Sequence, residues 1–458
     1  MNPQRLAPAD AIGPLGPAAT PRRQRPWRPA EPITAVPSEI CAKGDGVRAV
    51  AITGIGVVGP TGQTPAAFWQ SLLSGRSGIG RITRFDPTSY ACQIGGEVRD
   101  RSYETVLDPR KLRTTTHVTQ LALAATEFAL RDARLSANEY EPYRMGVAIG
   151  TALGGWSEAA QQHSILLERG VRRVNPFIAN GTPNHTSGVE IASAIGAQGS
   201  QTTFSTGCPA SLQAIGHGAT LVATGEVDVC IAGGTESPLT PTVVAGMGRT
   251  QELSTLNDDP PRACRPFDRG HAGIVLSEGS CILVLESHEH ALQRGAVPYA
   301  TILGAATSCD GRGLYSFDPS GEAGARAICR LLERTGLTPL DVDYVCAHAN
   351  SSPAFDRKET IVVKKAFGEW AARLPVSSIK GVLGHPFGAS GAFQVAAVAL
   401  ALKHQTIPPT HNLESPDLEC DLDYVPGEPR PARLRMALVT SYGYGGANSY
   451  LLVGKPKA

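Results

Sequence analysis

Short apolar runs alternate with longer amphipathic ones along most of this chain. The first run, VRAVAITGIGVVGPTG from Val47 onward, is β-branched and ends in a glycine turn. Runs of strand length recur at Met145–Gly150, Thr202–Ser205, Asp228–Ala232 and Ser280–Glu286. A second series follows at Ala300–Ser308, Asp343–Ala347, Leu434–Thr440 and Ser449–Val453. Amphipathic or wholly apolar stretches between them predict helices over Val118–Ala133, Ser211–Thr224, Gly321–Thr335, Phe355–Phe367 and Gly391–Lys403. Strand–helix alternation of this kind predicts an α/β layered fold. The two series share a plan and meet near Arg294–Tyr299, so residues 47–297 and 298–458 read as two halves.

Residues 1–46 break the pattern. Nine of the 35 prolines fall there, with Arg22, Arg23, Arg25 and Arg28, and spaced prolines fit neither a helix nor a central strand. This segment is expected to be an extended, flexible leader. For the rest, 458 residues that are 42% apolar and 18% charged exceed one ordinary core and exclude global disorder. The 42 basic and 41 acidic residues nearly cancel, which argues against a nucleic-acid binder working through bulk charge. The ten cysteines include no CxxC pair and no zinc spacing with histidine. Free thiols in a reducing, cytoplasmic compartment, with no metal and no redox cofactor, are the expectation. No apolar run approaches the roughly eighteen residues of a membrane span, and no secretory h-region opens the chain.

One cysteine stands apart. Cys208 lies in TTFSTGCPASLQAIGHGATLV, after a strand and a Thr-Gly turn and before a helix of small residues. Pro209 suits a first helical position, which puts Cys208 at a helix N-terminus. There the dipole and free N–H groups favour thiolate over thiol, and can cradle an oxyanion. Placement alone serves a nucleophile and a buried helix-cap cysteine equally well. Three further segments carry chemistry. In VCAHANSSPAFDRKET, His348 follows a strand, with Asp356 and Glu359 at the start of the next helix. In SSIKGVLGHPFGAS, Lys380 and His385 share a glycine-rich loop. In VTSYGYGGANSYLLV, glycines 443, 445 and 446 form a tight strand–loop–strand.

The ordered set Cys208, His348, Lys380, His385 and a late Gly-Tyr-Gly-Gly-Ala-Asn resembles the β-ketoacyl-acyl-carrier-protein synthases. The likeness is to the elongating Cys-His-His branch of the thiolase-like superfamily, type II polyketide ketosynthases included. It runs from Val47 to Val453 and takes in AITGIGVVGPTG, VDVCIAGGTES and LSTLNDDPPRACRPFDRGHAGIVLSEG. The resemblance implies a duplicated α-β-α-β-α fold of five layers and a dimer of like or unlike subunits. It implies condensation of an acyl primer with malonyl-carrier protein, with Cys208 as nucleophile and His348 and His385 handling decarboxylation. Lys380 matches the motif lysine, with Glu359 and Asp356 as its acidic partners. The N–H groups of Cys208 and Tyr444 match an oxyanion hole, with Tyr442 and Tyr444 at the gate. Arg110 and Lys111 stand where the family often docks an acidic carrier protein.

Four departures are visible: Gly207-Cys208-Pro209 at the nucleophile, Ala349-Asn350-Ser351-Ser352 after the first histidine, His271-Ala272 in place of Arg-Asp, and Tyr442-Gly443-Tyr444 near the end. They suggest an altered pocket or partner surface, hence polyketide or specialised fatty-acid assembly. General fatty-acid elongation is the alternative with the same chemistry. A non-catalytic chain-length partner is the alternative of a different class; such partners typically lack the nucleophile. SYGYGGAN has no cysteine, which sets thiolysis aside.

Overall fold

A computed structural model describes residues 48–136 and 140–456. The leader expected over 1–46, and Cys41 within it, lie outside the described residues. The main sheet has ten strands: β1 (Val50–Val58), β2 (Met145–Gly150), β3 (Gln201–Phe204), β4 (Val229–Glu236), β5 (Gly279–Ser287), β6 (Ala300–Cys309), β7 (Tyr344–Cys346), β8 (Val376–Ser377), β9 (Met436–Tyr442) and β10 (Ala447–Gly454). Their order across the sheet is β3-β2-β4-β5-β1-β6-β10-β9-β7-β8. Numbered within each set of five, both sets run 3-2-4-5-1 from the outer edge inward. The second strand of each set is parallel to both neighbours, and the fifth is antiparallel to both. The sets meet only in a short antiparallel ladder of Val50–Ile52 on Ala300–Ile302. The chain is thus one five-strand unit built twice.

Parallel neighbours require crossover connections, and helices supply them. On the outer side of the first set lie α1 (His117–Ala133) and α2 (Thr186–Ile195). Between the sets lies α3 (Ala210–Ala223). Outside the second set lie α4 (Glu322–Thr335) and α5 (Pro353–Phe367). A single turn, α6 (Lys380–Leu383), precedes α7 (Ser390–His404), which returns to the middle. Side-chain alternation shows the layering. Val229, Ile231, Ile282 and Val284 pack outward with Leu121 and Ala125 of α1. Cys230, Ala232, Cys281 and Leu283 face inward onto Ile215 of α3 and Ala396 of α7. Across the middle, Val439 and Leu451 face the same central helices, while Leu438 and Leu452 face Ile328 and Leu331 of α4. Five layers result, and the strands β1, β4 and β5 are dry on both faces. That is why β1, β4 and β5 read as continuous apolar runs rather than alternating ones. It is also why α7, buried from Ser390 to Leu402, shows no polar face. At Gly56 a β-carbon would lie 1.9 Å from the Ala125 carbonyl oxygen, so this glycine lets α1 lie directly on β1.

The five predicted helices occur within about two residues of their expected ends. Others had no strong signal. The helix Trp156–Arg169 buries none of its residues, and β8 is only two residues long. In each half the third strand leads into a central helix: β3 into α3 and, after α6, β8 into α7. Those two connections carry Cys208 and His385.

Candidate active site

β3 ends at Phe204, and the chain turns through Gly207, whose φ is +75°. A residue with a side chain is disfavoured there, which accounts for the glycine ahead of the nucleophile. Pro209 has helical torsions but stands at the N-cap, one position earlier than expected, and α3 begins at Ala210. Cys208 is therefore held at the head of a buried helix, only 5% exposed. Its Sγ is 3.2 Å from His385 Nε2. Ser441 Oγ, at the end of β9, donates to the Cys208 carbonyl oxygen at 3.3 Å. A β-carbon on Gly443 would lie 2.8 Å from Pro209 Cδ and 3.4 Å from the Cys208 nitrogen, so the late glycine loop packs directly on the nucleophile's turn.

The expected resting thiolate is not what this environment favours. Burial pushes the Cys208 thiol up to about 12, with the Lys380 charge opposing and Glu236 reinforcing the shift. Desolvation outweighs the helix N-terminus. The cysteine rests as a thiol, and a base beside it is needed.

That base has a built surrounding. Burial, then the Lys380 charge, holds His385 well below the usual imidazole range. His348 is held low by burial and by Lys380, His385 and Lys358. The two rings meet edge to face, with centroids 5.1 Å apart. The loop after β7 that carries His348 is tied by Glu359 of α5. Glu359 Oε1 accepts from the His348 N–H at 2.9 Å, and Oε2 from the Ala349 N–H at 2.8 Å. Thr440 Oγ1 donates to the same carboxylate. Lys380 Nζ, at the head of α6, donates to the His348 carbonyl oxygen. Burial pulls Lys380 down to about 8, opposed chiefly by Glu359. Burial pushes Glu359 up to about 7 against the bonds from Thr440, Ala349 and His348. Lys380 and Glu359 thus clamp the backbone of the first histidine from opposite sides.

One expected role is relocated. Asp356 does not partner Lys380. Its carboxylate accepts from the N–H groups of Phe267 at 2.9 Å and Asn350 at 3.0 Å, and faces His271 Nδ1 at 3.1 Å. Tyr442 is fully buried, its ring edge-on to His348 and beneath the Lys358 ammonium. Tyr444 is half-buried, edge-on to Phe355, and lines a cavity of about 40 Å³ with Glu252, Leu314, Phe317 and Ser352. Lys111 Nζ lies 2.5 Å from Glu190 Oε2 in a partly exposed ion pair, and Arg110 beside it is exposed.

Three residues of this region escaped the sequence reading. Glu236, buried at the end of β4, accepts from the N–H groups of Ala152, Leu153 and Gly388 and so joins the β2 loop to the His385 loop. Burial pushes it up to about 7. A carboxylate ending an apolar strand was its only signal. Lys358 lies inside α5 against Asp310 Oδ2 at 2.5 Å, fastening the Asp310 segment near the glycine loop. Asp417 faces His271 Nε2 at 3.2 Å, so His271 bridges two carboxylates, one at each ring nitrogen. Among the described residues no group of three or more His, Cys, Asp or Glu is placed to hold a metal ion, and no helix is long and apolar enough to cross a membrane.

With this geometry in place, similarity to known proteins is informative. Residues 47–291 match the family model described as Beta-ketoacyl synthase, N-terminal domain, and residues 299–414 its C-terminal domain. The 3-oxoacyl-[acyl-carrier-protein] synthase 2 of Synechocystis sp. is 42% identical over 407 residues, covering 89% of this chain and 98% of that protein. The solved ishigamide ketosynthase/chain length factor superposes with a TM-score of 0.84 at 30% identity, over 90% of this chain and 100% of that one. A type II PKS ketosynthase, solved with its acyl-carrier protein and bound to the hexaketide, gives 0.82 at 31% identity, over 90% and 100%. The duplicated five-layer fold is that of the thiolase-like ketosynthases, and the chain belongs to the beta-ketoacyl synthase family.

Proposed function

We propose that this chain is a β-ketoacyl-acyl-carrier-protein synthase, an acyltransferase that condenses an acyl primer with malonyl-carrier protein in cytoplasmic type II polyketide or specialised fatty-acid assembly. The observation that carries this reading is the buried contact between Cys208 Sγ and His385 Nε2 at the head of α3. In the first half-reaction Sγ attacks the primer thioester while His385 Nε2 takes its proton. The carrier's C–S bond breaks, and the departing thiolate receives that proton. The N–H groups of Cys208 and Tyr444 hold the tetrahedral oxygen. Malonyl thioester then loses carbon dioxide within the histidine pair, and its α-carbon attacks the acyl-cysteine carbonyl; the acyl–Sγ bond breaks, Cys208 leaves as thiolate and takes up a proton, and the β-ketoacyl group departs on the carrier. Glu359, Lys380 and Glu236 position the loops and touch no substrate.

A catalytic subunit is favoured over a chain-length partner by the complete set Cys208, His385, His348 and Lys380. The likeness to ketosynthases solved with a chain length factor and with a carrier protein supports a two-subunit assembly served by acyl carrier protein. β3, half-buried at an open sheet edge, is the proposed subunit contact. General fatty-acid elongation has its own support in the Synechocystis relative.

The test is intact mass of the purified protein after acyl-carrier protein, then malonyl-carrier protein. An acyl adduct on Cys208, discharged as β-ketoacyl product, is expected. No adduct with any primer, alone or with a partner subunit, overturns the reading. Best activity on ordinary saturated long-chain primers moves the enzyme to general elongation.

A further inference from the structure

The second residue after His348 is a side-chain amide, and its hydrogen bonds fix which way it points. Asn350 is 1% exposed. An oxygen, not an NH2, must face the backbone N–H of Ser352, 3.1 Å away, so that atom is Oδ1. Nδ2 therefore faces His348 Nε2 at 3.3 Å. An amide NH2 only donates, so His348 Nε2 must accept, and the neutral ring carries its proton on Nδ1. Nδ1 is buried and has no hydrogen-bond partner among the described residues. The backbone holds this arrangement on both sides. The Asn350 N–H is bonded to Asp356, and Ser351 sits at φ +72°, a torsion that costs a residue with a side chain.

The chemical consequence concerns the enolate. Charge developing on the malonyl thioester oxygen needs an N–H donor aimed at it. His348 Nε2 has no proton to give while Asn350 donates to it. The amide's second N–H has no acceptor among the described residues. Resting on the function proposed above, we infer that Asn350 is a further catalytic residue: its Nδ2 sets the His348 tautomer with one N–H and binds the enolate oxygen with the other. In that step the bond between the α-carbon and the carboxylate breaks heterolytically. Carbon dioxide leaves, the electron pair enters the enolate, and no proton is transferred. The oxygen accepts the hydrogen bond until the α-carbon attacks the acyl-cysteine.

Two measurements test this. Acyl loading of Cys208 and release of carbon dioxide from malonyl-carrier protein are timed separately in the wild type, Asn350→Ala and Asn350→Thr. Loss of one such donor is expected to slow carbon dioxide release about 10²- to 10³-fold in the Ala variant, far more than loading, with partial recovery in the Thr variant through its hydroxyl. Histidine-labelled nitrogen-15 spectra of the full chain, with His348→Gln for assignment, report the tautomer. Wild type is expected as the Nδ1–H form, and Asn350→Ala as a mixture. Equal loss of both half-reactions, loss of neither, or an Nε2–H tautomer in the wild type overturns the inference. Failure of the wild type itself to load any primer strikes the proposed function instead, and leaves the tautomer experiment readable.

Discussion

Replacing His385 by alanine is the most informative single perturbation. In the folded protein burial pushes the Cys208 thiol up to about 12, so at pH 7 it holds little thiolate unaided. His385 Nε2, 3.2 Å from Sγ, removes that dependence by taking the proton as the thiol attacks. A positioned base is worth about 10²- to 10⁴-fold, and His385→Ala should lose that factor in the rate of acyl loading. The pH profile makes the argument sharper. His385 is held well below the usual imidazole range, so it is neutral and ready to accept across pH 6.5–9, and wild-type loading should be flat there. The variant depends on free thiolate, which rises about tenfold per pH unit while the pH stays below the thiol's pKa. Its loading should therefore climb about a hundredfold between pH 7 and 9. The assay is the appearance of the acyl adduct by intact mass at single turnover, with Cys208→Ala as the blank. A His385→Ala enzyme that loads at the wild-type rate, or whose slow loading is flat with pH, refutes the assignment of His385 as the base.

Three other outcomes follow from the packing and charge. Gly56→Ala puts a carbon 1.9 Å from the Ala125 carbonyl oxygen and must push α1 off β1; a loss of about 3 kcal/mol or more in denaturant unfolding is expected, and an unchanged midpoint would contradict the close approach. His271→Leu leaves Asp356 and Asp417 facing a hydrocarbon, at about 3–5 kcal/mol, whereas His271→Arg restores donors to the two carboxylates and should recover most of it; equal stability of the two variants counts against the bridge. Arg144, then Arg48, hold Asp228 down to about 2, below its unfolded value of about 3.9, so its stabilisation is present above pH 4 and fades as the pH falls towards 2. The site is partly exposed, so Asp228→Asn should cost about 1 kcal/mol or less at pH 7, and thermal melts should show the gap closing in acid.

The sequence made the layers and the four principal site residues legible for a physical reason. Strands dry on both faces and helices dry all round are long apolar runs, and a nucleophile's turn needs glycine before it and a helix after it. What it concealed is long-range or small. The two-residue β8 is too short to leave a period, and Trp156–Arg169, with nothing buried, has no stripe facing a core. The His271 bridge joins residues 85 and 146 positions apart, a separation no local pattern encodes. The state of Cys208 is not legible locally, because the dipole of α3 is a local feature while the desolvation that overrides it comes from chain segments far away in sequence. Tyr442 and Tyr444 read alike as tyrosines flanking a glycine, but strand alternation sends the first inward and the loop leaves the second at the cavity.

Cys208 and His385 hold the same station in two copies of one unit, each on the connection from a third strand to a central helix. The consequence is one of ancestry. A half-length forerunner pairing as a symmetric dimer would lay two copies of one loop against each other across its axis. At this one station such an axis sets a thiol against a thiol or an imidazole against an imidazole. Two copies within a single chain carry no such restriction. The two loops could then diverge, and an acid–base pair could occupy a place where symmetry had allowed only identical neighbours.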